Sequence, residues 1–161
     1  MTFEIEITRD DYAAFNKHHF VKRSLLRVVI LVIIAILLIE YSLYKPGSTI
    51  FEILLIPIVF IGVFSLLITM ALNKTGRQPK DDGPILGKRT IVIERDAVLC
   101  NSSSSTSRFA YLQIKSIERG KRALYIYVDT AVAIIIPLRY FESDSAITNF
   151  VADLRTKINL K

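Results

Sequence analysis

The chain has 161 residues, 52% hydrophobic and 22% charged, with a net charge of +6 and one cysteine. A single cysteine excludes an intramolecular disulfide and any zinc site built from this chain's own cysteines, and it suits a reducing compartment. The apolar excess sits between Leu25 and Leu72, which marks lipid-facing segments rather than a core shared along the chain, and the positive charge clusters beside them, so nucleic acid is not an expected partner.

The opening residues alternate Phe3, Ile5 and Ile7 with Thr2, Glu4 and Glu6, the period-2 pattern of a half-buried strand. Asp10 or Asp11 then predicts a helix N-cap. Tyr12, Phe15 and His19 follow at i, i+3 and i+7, so residues 1–23 read as a strand plus a short amphipathic helix with its apolar face on the bilayer surface.

Residues 24–44 contain an unbroken apolar run from Val28 to Ile39, and about 20 helical residues cross the ~30 Å hydrocarbon layer. A secretory signal sequence competes with this reading. The run begins late, however, and Glu40, Tyr41 and Ser42 offer no small-x-small cleavage site. Lys45 to Ser48 spell KPGS, a tight reversal, and residues 50–72 form a second span antiparallel to the first. Pro57 predicts a kink there, and Gly62, Ser65 and Thr69 form a small-residue stripe suited to close packing between helices.

Lys17, Lys22, Arg23 and Arg27 precede the first span, Lys74, Arg77 and Lys80 follow the second, and Lys45 alone lies in the turn, so both termini are expected in the cytoplasm. Residues 73–87 mix Gly, Pro and both charges without period and read as a linker.

Over 88–161 six short strands follow in quick succession, at 88–95, 97–101, 108–114, 116–120, 123–128 and 132–137. A final helix has Ser143 as its N-cap and Ile147, Phe150, Val151, Leu154 and Ile158 on one face. The predicted class is therefore an α+β membrane protein: a two-helix transmembrane hairpin (24–72) plus a small antiparallel β-sandwich or barrel closed by a C-terminal helix.

The order of these parts, with FEIEIT and DDYAAFNKHH before the spans and LGKRTI (Leu86–Ile91), YLQIKSI (Tyr111–Ile117) and AIIIPLRYF (Ala133–Phe141) after them, resembles the YcxB-like family of bacterial membrane proteins. One departure is Tyr111, where that family often has Trp. The resemblance implies a bacterial inner-membrane location and a pleckstrin-homology-like domain of seven strands in two crossed sheets with a C-terminal helix. Six strands follow the linker, so the strand Phe3 to Ile7 is expected to supply the seventh at a sheet edge. The resemblance implies no settled biochemical activity.

Glu40 and Glu52 lie about one turn inside the two spans with Lys45 between them. Intramembrane acids are functional candidates by default, yet here they are close enough to the interface to reach water or Lys45, which favours a structural role. Lys22, Arg23, Arg27, Lys74 and Arg77 are expected at the membrane surface, with Arg27 snorkelling to lipid phosphates. Adjacent His18 and His19 complete no metal-ligand pattern, Cys100 reads as a small packed residue, and the hydroxyl run Ser102 to Ser107 reads as a hairpin loop.

The basic residues Lys88, Arg89, Lys121, Arg122 and Arg139, joined by Lys115 and Arg119, are the candidate interaction face, for anionic lipid or for a protein partner. No catalytic set, metal site, cofactor or small-molecule substrate is indicated. The expected function is non-enzymatic: an anchored domain that binds a protein or the lipid surface, with homo-oligomers a further partner class. The alternative, from Glu40, Glu52 and Pro57, is a small oligomeric transport or channel component.

Overall fold

The computed structural model describes residues 1–77, 79, 85–103 and 105–159. The chain divides into two compact units, Lys17–Thr75 and a second formed by Met1–Asn16 together with Gly76–Lys161.

In the helical part, α1 (Arg9–His19) passes through a π-helical turn at Phe20–Ser24 into α2 (Leu25–Leu43), and α3 spans Ile50–Arg77. Both α2 and α3 are long and apolar enough to cross a membrane, and none of their most apolar stretches is buried within the protein. Each helix has one half-buried stripe at helical spacing, Leu25, Val28, Val32, Ile36 and Ile39 on α2 and Ile56, Phe60, Phe64, Ile68 and Leu72 on α3, while the remaining large apolar side chains are exposed. Pro57 sits inside α3 without ending it. α3 also runs five residues past the expected end of the second span at Leu72, so the predicted linker opens as helix. In the turn between the spans Gly47 takes φ +96°, a left-handed conformation that glycine adopts without steric cost.

Gly62, Ser65 and Thr69 lie on the exposed side of α3, and nothing approaches the place of a Cβ on Gly62 within 4 Å. The small-residue packing expected along this stripe is therefore not made within the hairpin. The bulky stripe of Phe60, Phe64, Ile68 and Leu72 is the shielded one instead.

Among the described residues the other unit holds seven antiparallel strands in two sheets. The first sheet has the order β1 (Thr2–Ile7), β2 (Gly87–Ile93), β3 (Ala97–Ser102), β4 (Thr106–Ala110), and the second β5 (Ser116–Arg119), β6 (Ala123–Tyr127), β7 (Ala133–Pro137). β1 pairs with β2 along its whole length, Phe3 opposite Ile91 and Ile5 opposite Arg89, so the first strand of the chain does complete the sheet. Residues 1–16 are thus part of this unit and not a separate N-terminal segment. The strand expected over 108–114 stops at Ala110, because the Gln113 side chain accepts the Ala110 N–H at 3.0 Å and Tyr111–Gln113 turn into a short 3-10 helix.

The inward faces of both sheets and of α4 (Asp144–Asn159) share one core that includes Phe3, Ile91, Val98, Leu124, Ile136 and Leu154. Each such side chain contributes on the order of 1.5–3 kcal/mol by leaving water. Phe3, Phe141 and Phe150 meet pairwise with ring centroids 5.1–5.5 Å apart. Ser143 caps α4 as its sequence suggests, its Oγ accepting the Ala146 N–H at 3.2 Å.

β6 is buried on both faces. Its inward residues Leu124 and Ile126 join the main core, whereas Ala123, Tyr125 and Tyr127 are covered on the other side by Phe15 and Tyr12 of α1. The first half of α1 therefore spends its apolar face on a protein sheet, not on the bilayer surface expected for it. Gly120, just after β5, allows this packing, since a Cβ there would lie 2.5 Å from a Tyr125 ring carbon and 3.2 Å from the Ala123 carbonyl oxygen. Gly120→Ala is expected to cost about 1–3 kcal/mol, because the Tyr125 ring is held against Phe15 and cannot give way freely; urea titration of the protein in detergent, followed by tyrosine near-ultraviolet dichroism, measures it.

Candidate interaction surface

Thr8 ends β1 and starts α1. Its Oγ1 accepts the Asp11 N–H at 3.3 Å, and Asp11 Oδ2 accepts the Thr8 N–H at 2.9 Å, a reciprocal cap with Asp in the place usually held by Glu. The cap is thus Thr8, with Asp11 its partner three residues on, where the sequence pointed to Asp10 or Asp11 as the cap itself.

Asp11 is the one charged side chain buried among the described residues, at 2% exposure. Arg139, on the short turn after β7, holds it with two hydrogen bonds, Nη1 to Oδ1 at 2.7 Å and Nη2 to Oδ2 at 2.8 Å. Arg139 Nη2 also donates to the Glu6 carbonyl at 2.7 Å, its guanidinium lies 5.1 Å over the Tyr140 ring, and the Tyr140 hydroxyl accepts the Glu6 N–H at 2.9 Å. Burial pushes the Asp11 carboxyl up. The hydrogen bonds from Arg139 and Thr8 and the guanidinium charge outweigh it and hold the group below its ordinary value. The same hydrogen bond to Asp11 leads the causes that raise Arg139, against a smaller effect of burial.

The five basic residues of the candidate face do not form one surface. Arg139 faces Asp11, and Arg122 lies 3.7 Å from Asp10, so two of them meet the acidic first turn of α1. Lys88 and Arg89 are neighbours on β2 and point to opposite faces of the sheet. Lys88 is exposed, whereas Arg89 turns to the inner face, where Nη2 donates to the Ile85 carbonyl at 2.9 Å and Nη1 lies 3.9 Å from Cys100 Sγ. Lys121 stands exposed in the two-residue turn before β6. On the outer face of the first sheet, Glu4, Glu6, Lys88, Thr90, Asn101 and Tyr140 line an open groove of about 510 Å³ whose charges are mixed rather than basic.

In the helical unit Lys22 and Arg23 fall in the π-helical turn, Arg27 in the first turn of α2, and Lys74 near the end of α3, which closes at Arg77. Glu52 has a specific structural partner: its carboxylate accepts the Thr49 N–H at 3.0 Å while Thr49 Oγ1 accepts the Glu52 N–H at 3.4 Å. This second reciprocal cap was legible as T-x-x-E before an apolar run, a signal that the pairing with Lys45 passed over. Glu40 Oε1 is shielded and has no hydrogen-bond partner among the described residues.

Residues 93–151 match the family model of the YcxB-like protein. The YcxB-like stretch begins at the last residue of β2 and ends within α4, so it takes in β3 to β7, Arg122 and Arg139. β1, Asp10 and Asp11, which complete the edge and face those arginines, lie outside it. Comparison with curated proteins and with solved structures gave no match.

Proposed function

We propose that this chain is a non-enzymatic protein of the bacterial inner membrane, anchored by α2 and α3, whose pleckstrin-homology-like domain acts in the cytoplasm as a docking module for a protein or for the lipid surface. The observation that carries the reading is the pairing of β1 with β2 across an intervening sequence that contains both apolar helices. Two hydrogen-bonded strands cannot lie on opposite sides of a bilayer, so the segment between them crosses an even number of times, and two apolar helices satisfy that condition. The charge distribution supports the cytoplasmic side: Lys17, Lys22, Arg23, Arg27, Lys74, Arg77 and Lys80 flank the spans, against Lys45 alone in the turn. Seven strands in sheets of four and three with a closing C-terminal helix support the pleckstrin-homology-like assignment.

Alkaline phosphatase and green fluorescent protein fused in turn at Gly47 and after Lys161 test the topology. Phosphatase activity only at Gly47 and fluorescence only at the C-terminus is the expected result. Phosphatase activity at Lys161 would overturn the orientation, and equal signals at both positions would overturn the two-span anchor.

The transport reading retains Glu40 as its support, its Oε1 shielded and without a hydrogen-bond partner among the described residues, while Glu52 is accounted for by its cap. It requires ion or proton flux in liposomes that Glu40→Gln abolishes in a folded protein.

A further inference from the structure

The inner face of the first sheet changes character along its strands. Residues opposite one another across antiparallel strands share a face, so the register reads as successive inward rungs. The rung of Ile93, Val98 and Phe109 is apolar, the next ends in Cys100 and Ser107, and the one after places Arg89 between Ile5 and Ser102. Here the β6–β7 turn, closed by the Val128 N–H donating to the Val132 carbonyl at 3.0 Å, leaves a cavity of about 110 Å³ between the two sheets. Arg89 with Ser102, Ser105 and Ser107 supplies the polar part of its lining, and Phe109, Val128 and Val132 supply an apolar part. The bond from Arg89 Nη2 to the Ile85 carbonyl and the approach of Nη1 to Cys100 Sγ hold the guanidinium in place.

The apolar part continues into a groove of about 420 Å³ that shares Phe109, Val128 and Val132 and runs on over Leu112. Leu112 is 74% and Val132 54% exposed, apolar surface that a folded domain gains by covering. At the outer end of this groove Lys115 is neutralised by its ion pair with Asp129.

We infer that the cavity and groove together bind a single-chain amphiphile with a carboxylate head, that is, a fatty acid. The carboxylate meets Arg89 and the serines, since a planar guanidinium matches it in shape and charge, and the chain lies over Val128, Val132 and Leu112. An inorganic anion would leave the groove bare. An uncharged chain would be placed against Arg89 without a group to meet it. Such a ligand lies within the β unit, so the inference goes beyond docking to a protein or a bilayer surface and does not depend on it.

The probe is dodecanoic acid with a diazirine in mid-chain, photolysed with the full chain in phosphatidylcholine nanodiscs and mapped by peptide mass spectrometry. Saturable adducts are expected on residues 109–113 and 128–133, displaced by octanoate and not by octanol. They should fall about tenfold in Arg89→Gln and recover in part in Arg89→Lys. Leu112→Glu, at an exposed position where folding is expected to survive and tyrosine dichroism checks it, should lower them to a similar extent, so the test does not hang on Arg89 variants alone. Adducts confined to α2 and α3, as from probe dissolved in the bilayer, would overturn the inference, as would equal displacement by octanol or undiminished labelling of a folded Leu112→Glu protein. Stronger displacement by octyl phosphate than by octanoate would overturn it in favour of a phosphate head.

Discussion

Arg139→Ala is expected to destabilise the β unit by about 3 kcal/mol, more than Asp11→Ala does at about 2 kcal/mol, although the two residues form one ion pair. The asymmetry comes from burial. The Asp11 side chain is 3% exposed and that of Arg139 47%. Removing the arginine leaves a buried carboxylate with only its bonds to Thr8, while removing the aspartate leaves a guanidinium that can turn into water. The pair's two hydrogen bonds make the coupling strong, so the double Ala variant should be clearly less destabilised than the sum of the singles. Urea unfolding of full-length protein in detergent, read by tyrosine dichroism, gives all three values. A larger cost for Asp11→Ala than for Arg139→Ala would refute the buried-charge account.

The same pair predicts an acid limb. Asp11 has a folded-state value below its unfolded one, so its contribution is fully present above the ordinary carboxylate value near 3.9 and is lost as pH falls through the folded value. The stability gap between parent and Arg139→Ala should therefore be widest at neutral pH and narrow below about pH 4. A gap that stayed constant down to pH 3 would place the effect in packing of the arginine stem over Tyr140.

Phe15→Ala should cost about 3–4 kcal/mol and detach the first half of α1 from the sheet. Phe15 is 7% exposed, with its ring centroid 5.4 Å from that of Tyr125 and 6.0 Å from that of Tyr127. The change has a spectroscopic reporter. Burial, with smaller contributions from Tyr127 and Asp11, pushes the Tyr125 hydroxyl up to about 12. Removing Phe15 admits water to that ring, so tyrosinate titration in the ultraviolet should show one tyrosine moving toward its ordinary value near 10. The raised group keeps its proton in the folded state after the unfolded chain has lost it, so the parent loses stability as pH climbs from about 10 to 12. That alkaline slope should be shallower in Phe15→Ala. An unchanged tyrosine titration would mean that α1 does not seal this face of the sheet.

These two sites differ in how far local sequence discloses them. Phe15 was marked by its spacing from Tyr12 and His19, yet the spacing says only that one face is apolar. A bilayer surface and the back of a β-sheet make the same demand, and the contiguous burial of β6 decided for the sheet. Arg139 was visible as a basic residue among others in the domain. Its partner stands 128 positions earlier, and no pattern in either neighbourhood signals the other.

What the sequence by itself determined was whatever follows from a short period or a local exclusion. The two long apolar helices emerge from hydropathy summed over about 20 residues, the strands from alternation such as that of Phe3, Ile5 and Ile7, and the cap of α4 from Ser143, because each depends on neighbours within one or two turns. The place of Phe3 to Ile7 as a seventh strand came from the family resemblance, which implies seven strands where six follow the linker. Tertiary structure alone decided that Tyr12 and Phe15 of α1 cover β6, that the acidic start of α1 meets Arg122 and Arg139, and that the bulky stripe of α3 is shielded while Gly62, Ser65 and Thr69 are exposed. The physical reason is common to all three. Charge and apolar surface are satisfied by any complementary group within reach, and reach is set by the folded path of the chain, not by position along it.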